Sequence, residues 1–114
     1  MILHAVKTID IAGGGLAGLS LGIALRKRGV PVRVHEAMSY PKHRVCGEFI
    51  SGVTQETLSY LGIEQLFAQT LLHREATWCN AEGMLTSFHL PQAAYGISRY
   101  RLDEQLCGLL RSMG

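Results

Sequence analysis

Residues 8 to 36, TIDIAGGGLAGLSLGIALRKRGVPVRVHE, leave this chain few folds to choose from. A short apolar run, Ile9, Ile11 and Ala12, precedes Gly13, Gly15 and Gly18 in G-x-G-x-x-G spacing. Apolar residues at helical spacing follow, then Val32 and Val34 alternating with Arg33 and His35, and at the end an acid, Glu36. Strand, glycine turn, helix and strand in that order predict a βαβ unit, in which the crossover helix makes the two strands parallel. The glycines serve a sharp turn, a close backbone approach to a pyrophosphate, and tight packing of helix on strand. Leu16 and Ala17 then open the helix and offer backbone N–H groups to the phosphates. Parts in this order are those of a dinucleotide-binding unit.

Within the helix, Leu16, Leu19, Ile23 and Ala24 form the apolar stripe, and Gly29 is the expected stop. Arg26, Lys27 and Arg28 fall in the last turn, where cations complement the helix dipole and need no ligand. Glu36 follows Gly13 at close to the spacing at which a carboxylate reaches a ribose hydroxyl pair. It would repel a 2′-phosphate, so FAD or NAD is favoured over NADP; a surface glutamate at a strand end is the plainer alternative. Asp10 breaks the pattern. In a strand covered on both faces its charge must be paired, protonated or exposed.

Eleven basic and nine acidic residues give a formal charge of +2, too weak a field to suggest nucleic acid, and the few aromatics are scattered. Lys7 and Asp10 interrupt the first apolar run, and Leu16 to Leu25 is too short to span a bilayer, so no integral membrane segment is expected. Cys46, Cys79 and Cys107 form no C-x-x-C pair and suit free thiols in a reducing, cytoplasmic setting. His4, His35, His43, His73 and His89 lack ligand spacing, so no metal site is expected. Ser20 and Ser51 have no nucleophile elbow around them. No residue qualifies from sequence as a catalytic acid, base or nucleophile.

Further on, Leu58, Leu61, Leu66 and Phe67 predict two short helices over 54–70, broken at Gly62. Two β-type runs then flank Asn80-Ala81-Glu82-Gly83 and predict a hairpin over 72–92. Trp78 and Phe88 in these runs are either packing residues or part of a cavity wall.

Residues 41 to 51, PKHRVCGEFIS, supply Pro41, Arg44, Cys46, Gly47 and Glu48, with Leu58, Leu61 and Gly62 in the helix beyond. Residues 96 to 106, GISRYRLDEQL, supply Arg99 and an L-D-x-x-L helix start. Together with the glycine loop, these motifs resemble the FAD-dependent oxidoreductases of the para-hydroxybenzoate hydroxylase type, in the branch of geranylgeranyl reductases and flavin-dependent halogenases. Lys42 stands where that family usually has arginine, which keeps the charge and loses the planar fork. The resemblance implies FAD as cofactor, NAD(P)H as electron donor, and a small organic substrate that is oxygenated, halogenated or reduced at an alkene. It implies that Arg44 and Arg99 neutralise phosphate or hold the flavin side, and that Cys46 shapes the loop near the flavin. It also assigns the hairpin to the substrate-side sheet.

The expected architecture is therefore α/β: a parallel Rossmann-type core with strands near 6–12 and 32–36, joined by one near 95–99, plus the antiparallel hairpin. Gly13, Gly15, Leu16, Ala17, Gly18, Glu36, Arg44 and Arg99 are the candidate cofactor-binding residues. Family members use a much longer chain, including a downstream glycine-aspartate motif, so residues 1–114 are expected to be the N-terminal part of an FAD/NAD(P)-binding domain. On its own such a part is expected to be inactive, with exposed apolar surface that would serve a homodimer. Two other readings stay open: an interaction module without flavin, and an NAD-binding dehydrogenase domain.

Overall fold

The computed structural model describes residues 5–114, in the order β1 (Ile9–Ala12), α1 (Leu16–Lys27), β2 (Val32–His35), β3 (Phe49–Ile50), α2 (Gln55–Leu61), α3 (Glu64–Phe67), β4 (Leu71–Asn80), β5 (Gly83–Gly96) and α4 (Arg99–Ser112). The chain divides into two compact units. One joins the residues up to Arg44 to Tyr100–Gly114, and the other is Val45–Arg99.

In the first unit β1 and β2 pair in parallel, Ile9 opposite Val32 and Ile11 opposite Val34. Ile11, Val32, Leu19 and Ile23 are buried, as are Leu102, Leu106, Cys107 and Leu110 of α4. A side chain at Gly22 would come within 3.1 Å of Leu110, so the missing Cβ lets α1 and α4 close up there. Arg26 does more than offset the helix dipole: its Nη2 donates to the Val32 carbonyl at 2.7 Å and its Nη1 to that of Leu110 at 3.5 Å. One guanidinium thus ties α1 to both β2 and α4.

Two sequence expectations are corrected in this sheet. The first strand begins at Ile9 rather than near residue 6, matching in length the four-residue β2 beside it. It is also covered on only one face, since Ile11 is buried while Asp10 and Ala12, which point the other way, are exposed. That resolves Asp10, whose side chain is 56% exposed and pairs with His35 Nε2 at 2.8 Å and Arg33 Nη1 at 3.6 Å. The hydrogen bond from His35, with the charge of Arg33, holds the Asp10 carboxyl below its ordinary range.

The second unit is an antiparallel sheet in the order β3-β5-β4 with two short helices. Thr54 Oγ1 caps α2 by accepting the Thr57 N–H at 3.1 Å, and Gly62 ends it at φ +69°. Leu58, Leu61, Ile63 and Phe67 are buried, as are Ile50, Ala94 and Ile97, and the Phe67 ring meets Tyr95 edge-on at 5.1 Å.

The strand expected near 95–99 in the parallel core is a further correction. Tyr95 and Gly96 instead close the 14-residue β5, antiparallel to both β3 and β4, and α4 starts at Arg99. No crossover separates β4 from β5, so the two pair antiparallel. The hairpin itself forms with wider bounds than 72–92. Glu75, Thr77 and Ser87 link their side chains along one face, while the alternation of the strands puts Ala76, Trp78, Thr86 and Phe88 on the other. Trp78 is 64% exposed.

Candidate functional site

The first unit brings its candidate residues to one place, the turn from β1 into α1. Gly13 takes φ +102°, and its N–H donates to the His35 carbonyl at 2.8 Å, so the turn is anchored on the end of β2. A Cβ on Gly18 would run into the Gly13 carbonyl oxygen; only glycine lets α1 start this close to the strand. Gly15 is the N-cap and supplies no side-chain acceptor, and the first helical bond is Leu19 N–H to the Gly15 carbonyl at 3.0 Å. The N–H groups of Leu16, Ala17 and Gly18 therefore have no carbonyl within the helix and stand at its positive end.

A carboxylate and a guanidinium flank this turn at adjacent residues. An ideal Cβ on Gly14 would lie 3.0 Å from the Cβ of Glu36, and one on Gly15 would lie 2.9 Å from Nη2 of Arg44. Glu36 Oε2 accepts from Lys42 Nζ at 2.6 Å, with the two side chains 15% and 5% exposed. That hydrogen bond is the main reason the Glu36 carboxyl is held below the ordinary glutamate range; the Gly14 N–H and the Arg44 charge add to it, and partial desolvation opposes them. Glu36 thus stays an anion beside the loop. Tyr40 donates to the Gly14 carbonyl at 2.5 Å, and desolvation, followed by the neighbouring Cys107, Glu36 and Asp103, pushes its hydroxyl pKa up. Arg44 Nε in turn sits 3.5 Å from Oδ2 of Asp103, whose side chain is fully buried.

Free helix N–H groups and a cation suit a pyrophosphate, and the carboxylate suits a ribose, so the donors and acceptors present fit a dinucleotide. Arg99, also a candidate, belongs to the second unit, where its backbone N–H donates to the Gly47 carbonyl at 2.7 Å. Ile97 N–H donates to Glu48 at 3.0 Å, so the Cys46-Gly47-Glu48 segment is pinned to the junction of β5 and α4. Among the described residues no three His, Cys, Asp or Glu side chains group as metal ligands. His4 lies outside those residues.

Three contributors escaped the sequence reading: Lys42 as the buried partner of Glu36, Tyr40 as a clamp on the loop, and Asp103 behind Arg44. Only Asp103 carried a usable signal, as an acid set among Leu102, Leu106 and Cys107 on the buried stripe of α4.

Comparison with known proteins agrees with this fold. The tetrameric form of 2-methyl-3-hydroxypyridine-5-carboxylic acid oxygenase superposes with a TM-score of 0.79 at 22% identity, over 97% of this chain and 30% of that one. The myxobacterial chondrochloren halogenase CndH, an FAD-dependent halogenase, gives 0.73 at 20% identity, over 95% and 28%. CmlS, a flavin-dependent halogenase, gives 0.72 at 28% identity, over 96% and 22%. This chain therefore spans less than a third of the length of these structures. No curated protein matches it. No helix among the described residues is long and apolar enough to cross a membrane. The family described as FAD binding domain matches residues 5–106, nearly the whole chain, and the protein therefore belongs to that family of flavin-binding domains.

Proposed function

We propose that this chain is the N-terminal, FAD-holding portion of a flavin-dependent oxidoreductase that takes electrons from NAD(P)H and acts on a small organic substrate. The supporting observation is the placement of Glu36 and Arg44 beside the adjacent Gly14 and Gly15, with the free N–H groups of α1 next to them. In this reading Gly13, Gly15, Leu16, Ala17 and Gly18 surround the pyrophosphate, Arg44 neutralises it, and Glu36 accepts from the adenosine ribose. Arg99 holds the flavin side. When bound, the flavin supplies the redox chemistry by which such enzymes oxygenate, halogenate or reduce their substrates. The protein's share is to bind and orient it: Lys42 holds Glu36 ionised, and Tyr40 ties down the Gly14 carbonyl. Three free cysteines fit a reducing cytoplasm as the setting.

The test is a titration of the purified chain with FAD, followed by the flavin's visible absorbance. Saturable binding is expected, weakened by about 1–3 kcal/mol in Glu36→Ala, the value of hydrogen bonds to a charged group. Binding of NAD with none of FAD would favour a dehydrogenase domain instead.

A further inference from the structure

The two ion pairs beside the glycine loop have opposite polarity and one common design. In each, the member beside the loop is the more exposed and its partner is buried: Glu36 at 15% against Lys42 at 5%, and Arg44 at 33% against Asp103 at 0%. Asp103 is the unusual case. A fully buried carboxylate in the first turns of an amphipathic helix is costly unless a cation answers it, and a neighbouring apolar residue would fill the space without that cost. The sequence around it, Leu102, Leu106, Cys107 and Leu110, shows that the helix needs no charge there to pack.

We infer that Asp103 is a positioning residue for the phosphate-binding group: it holds Nε of Arg44 so that Nη2 of the same guanidinium is presented at Gly15. Two different nitrogens of one rigid planar group are engaged. Nε lies 3.5 Å from Asp103 Oδ2, and Nη2 lies 2.9 Å from an ideal Cβ on Gly15, the residue capping α1. Arginine suits this relay because its guanidinium offers donors on more than one side in a fixed plane, which lysine does not. An arginine without Asp103 would keep its charge and lose its aim, so binding of the phosphates would weaken while that of the nucleoside would not. Residues 44 and 103 are 59 positions apart. The link therefore makes α4, a distant segment of the chain, part of the pyrophosphate site.

This inference rests on the dinucleotide reading above, and the experiment separates the two. Dissociation constants for ADP and adenosine are measured on the full chain for wild type, Asp103→Asn, Arg44→Met and the double variant. Arg44→Met should weaken ADP roughly tenfold, the loss of one charge-assisted hydrogen bond. Asp103→Asn should weaken ADP about fivefold and leave adenosine within about twofold, with no further loss in the Arg44→Met background. Equal weakening of ADP and adenosine would make Asp103 a packing residue and overturn the inference. So would an unchanged ADP constant in Asp103→Asn where Arg44→Met lowers affinity. Wild-type protein that binds neither ligand would overturn the dinucleotide reading itself, and this inference with it. Should Asp103→Asn fail to fold, the Arg44 Nε–H proton of the wild type gives the answer. Slow exchange with water, with Nη signals that shift on adding ADP, is expected; fast exchange at Nε overturns the inference.

Discussion

The two units spend their apolar and charged residues in opposite ways. Around β1, α1, β2 and α4, a core of aliphatic side chains is closed, and two ion pairs with a buried member stand beside a four-residue strand and a tight turn. In Val45–Arg99 the helices and the base of the sheet share a core, yet Trp78, Met84 and Leu85 are 64%, 68% and 65% exposed on a hairpin of 10- and 14-residue strands. A long two-stranded ribbon has too little surface of its own to bury such side chains. The difference separates two kinds of sequence information. The backbone of the glycine turn is specified within about 30 residues, so its conformation follows from local rules even though the charged groups beside it come from farther along the chain. The exposed apolar residues of the hairpin follow no comparable local rule.

That contrast is broken most readily by truncating core and hairpin side chains in parallel. Leu19→Ala, at a site 1% exposed, should lower stability to denaturant by about 2–5 kcal/mol, whereas Leu85→Ala should change it by less than about 0.5 kcal/mol. Similar losses at the two positions would show that the hairpin is covered. Gly18→Ala comes next. Its Cβ has to displace the Gly13 carbonyl, so a loss of about 1–3 kcal/mol is expected, with dinucleotide binding abolished because the turn itself moves.

Acid sharpens the comparison in the first unit. The Glu36 carboxyl is held below its ordinary value by Lys42, so its share of stability is complete above the unfolded-state pKa and is lost as pH falls through the folded one. Melting temperatures of wild type and Glu36→Gln should therefore differ at neutral pH and converge as pH drops below the ordinary glutamate range. A gap independent of pH would mean that the Lys42 pair is not its source. The smallest effect is expected at the chain's single tryptophan. Trp78 fluorescence should be quenched readily by iodide, and Trp78→Ser should leave the melting temperature nearly unchanged.

What could be read from sequence follows the same division. β1, the loop, α1 and β2 were legible because strand alternation, helical spacing and glycine placement all act over a few residues. The Thr54 cap and the Gly62 stop around α2 act over a similar range, and the glycine is the plainer of the two signals. The strand placed near 95–99 went wrong because its end residues look alike in a parallel core and at the tail of a hairpin; pairing partners, not composition, decide between them. Asp10 was judged against a sheet buried on both faces, whereas only the Ile11 face is covered. Lys42 gave no local signal, since an ion pair to Glu36 across Pro41 has no periodicity to betray it. Asp103 was visible as an odd acid on an apolar stripe, but its partner lies 59 positions away.

The central claim is that the turn from β1 into α1 is where this chain holds a dinucleotide. It is tested most directly by adding ADP to isotopically labelled chain and following backbone amide resonances. Saturable shifts should centre on Gly15, Leu16, Ala17 and Gly18, extend to Glu36, and leave Thr77, Trp78, Ser87 and Phe88 of the hairpin unmoved. No saturable shift at the loop, or shifts centred on the hairpin, would contradict it.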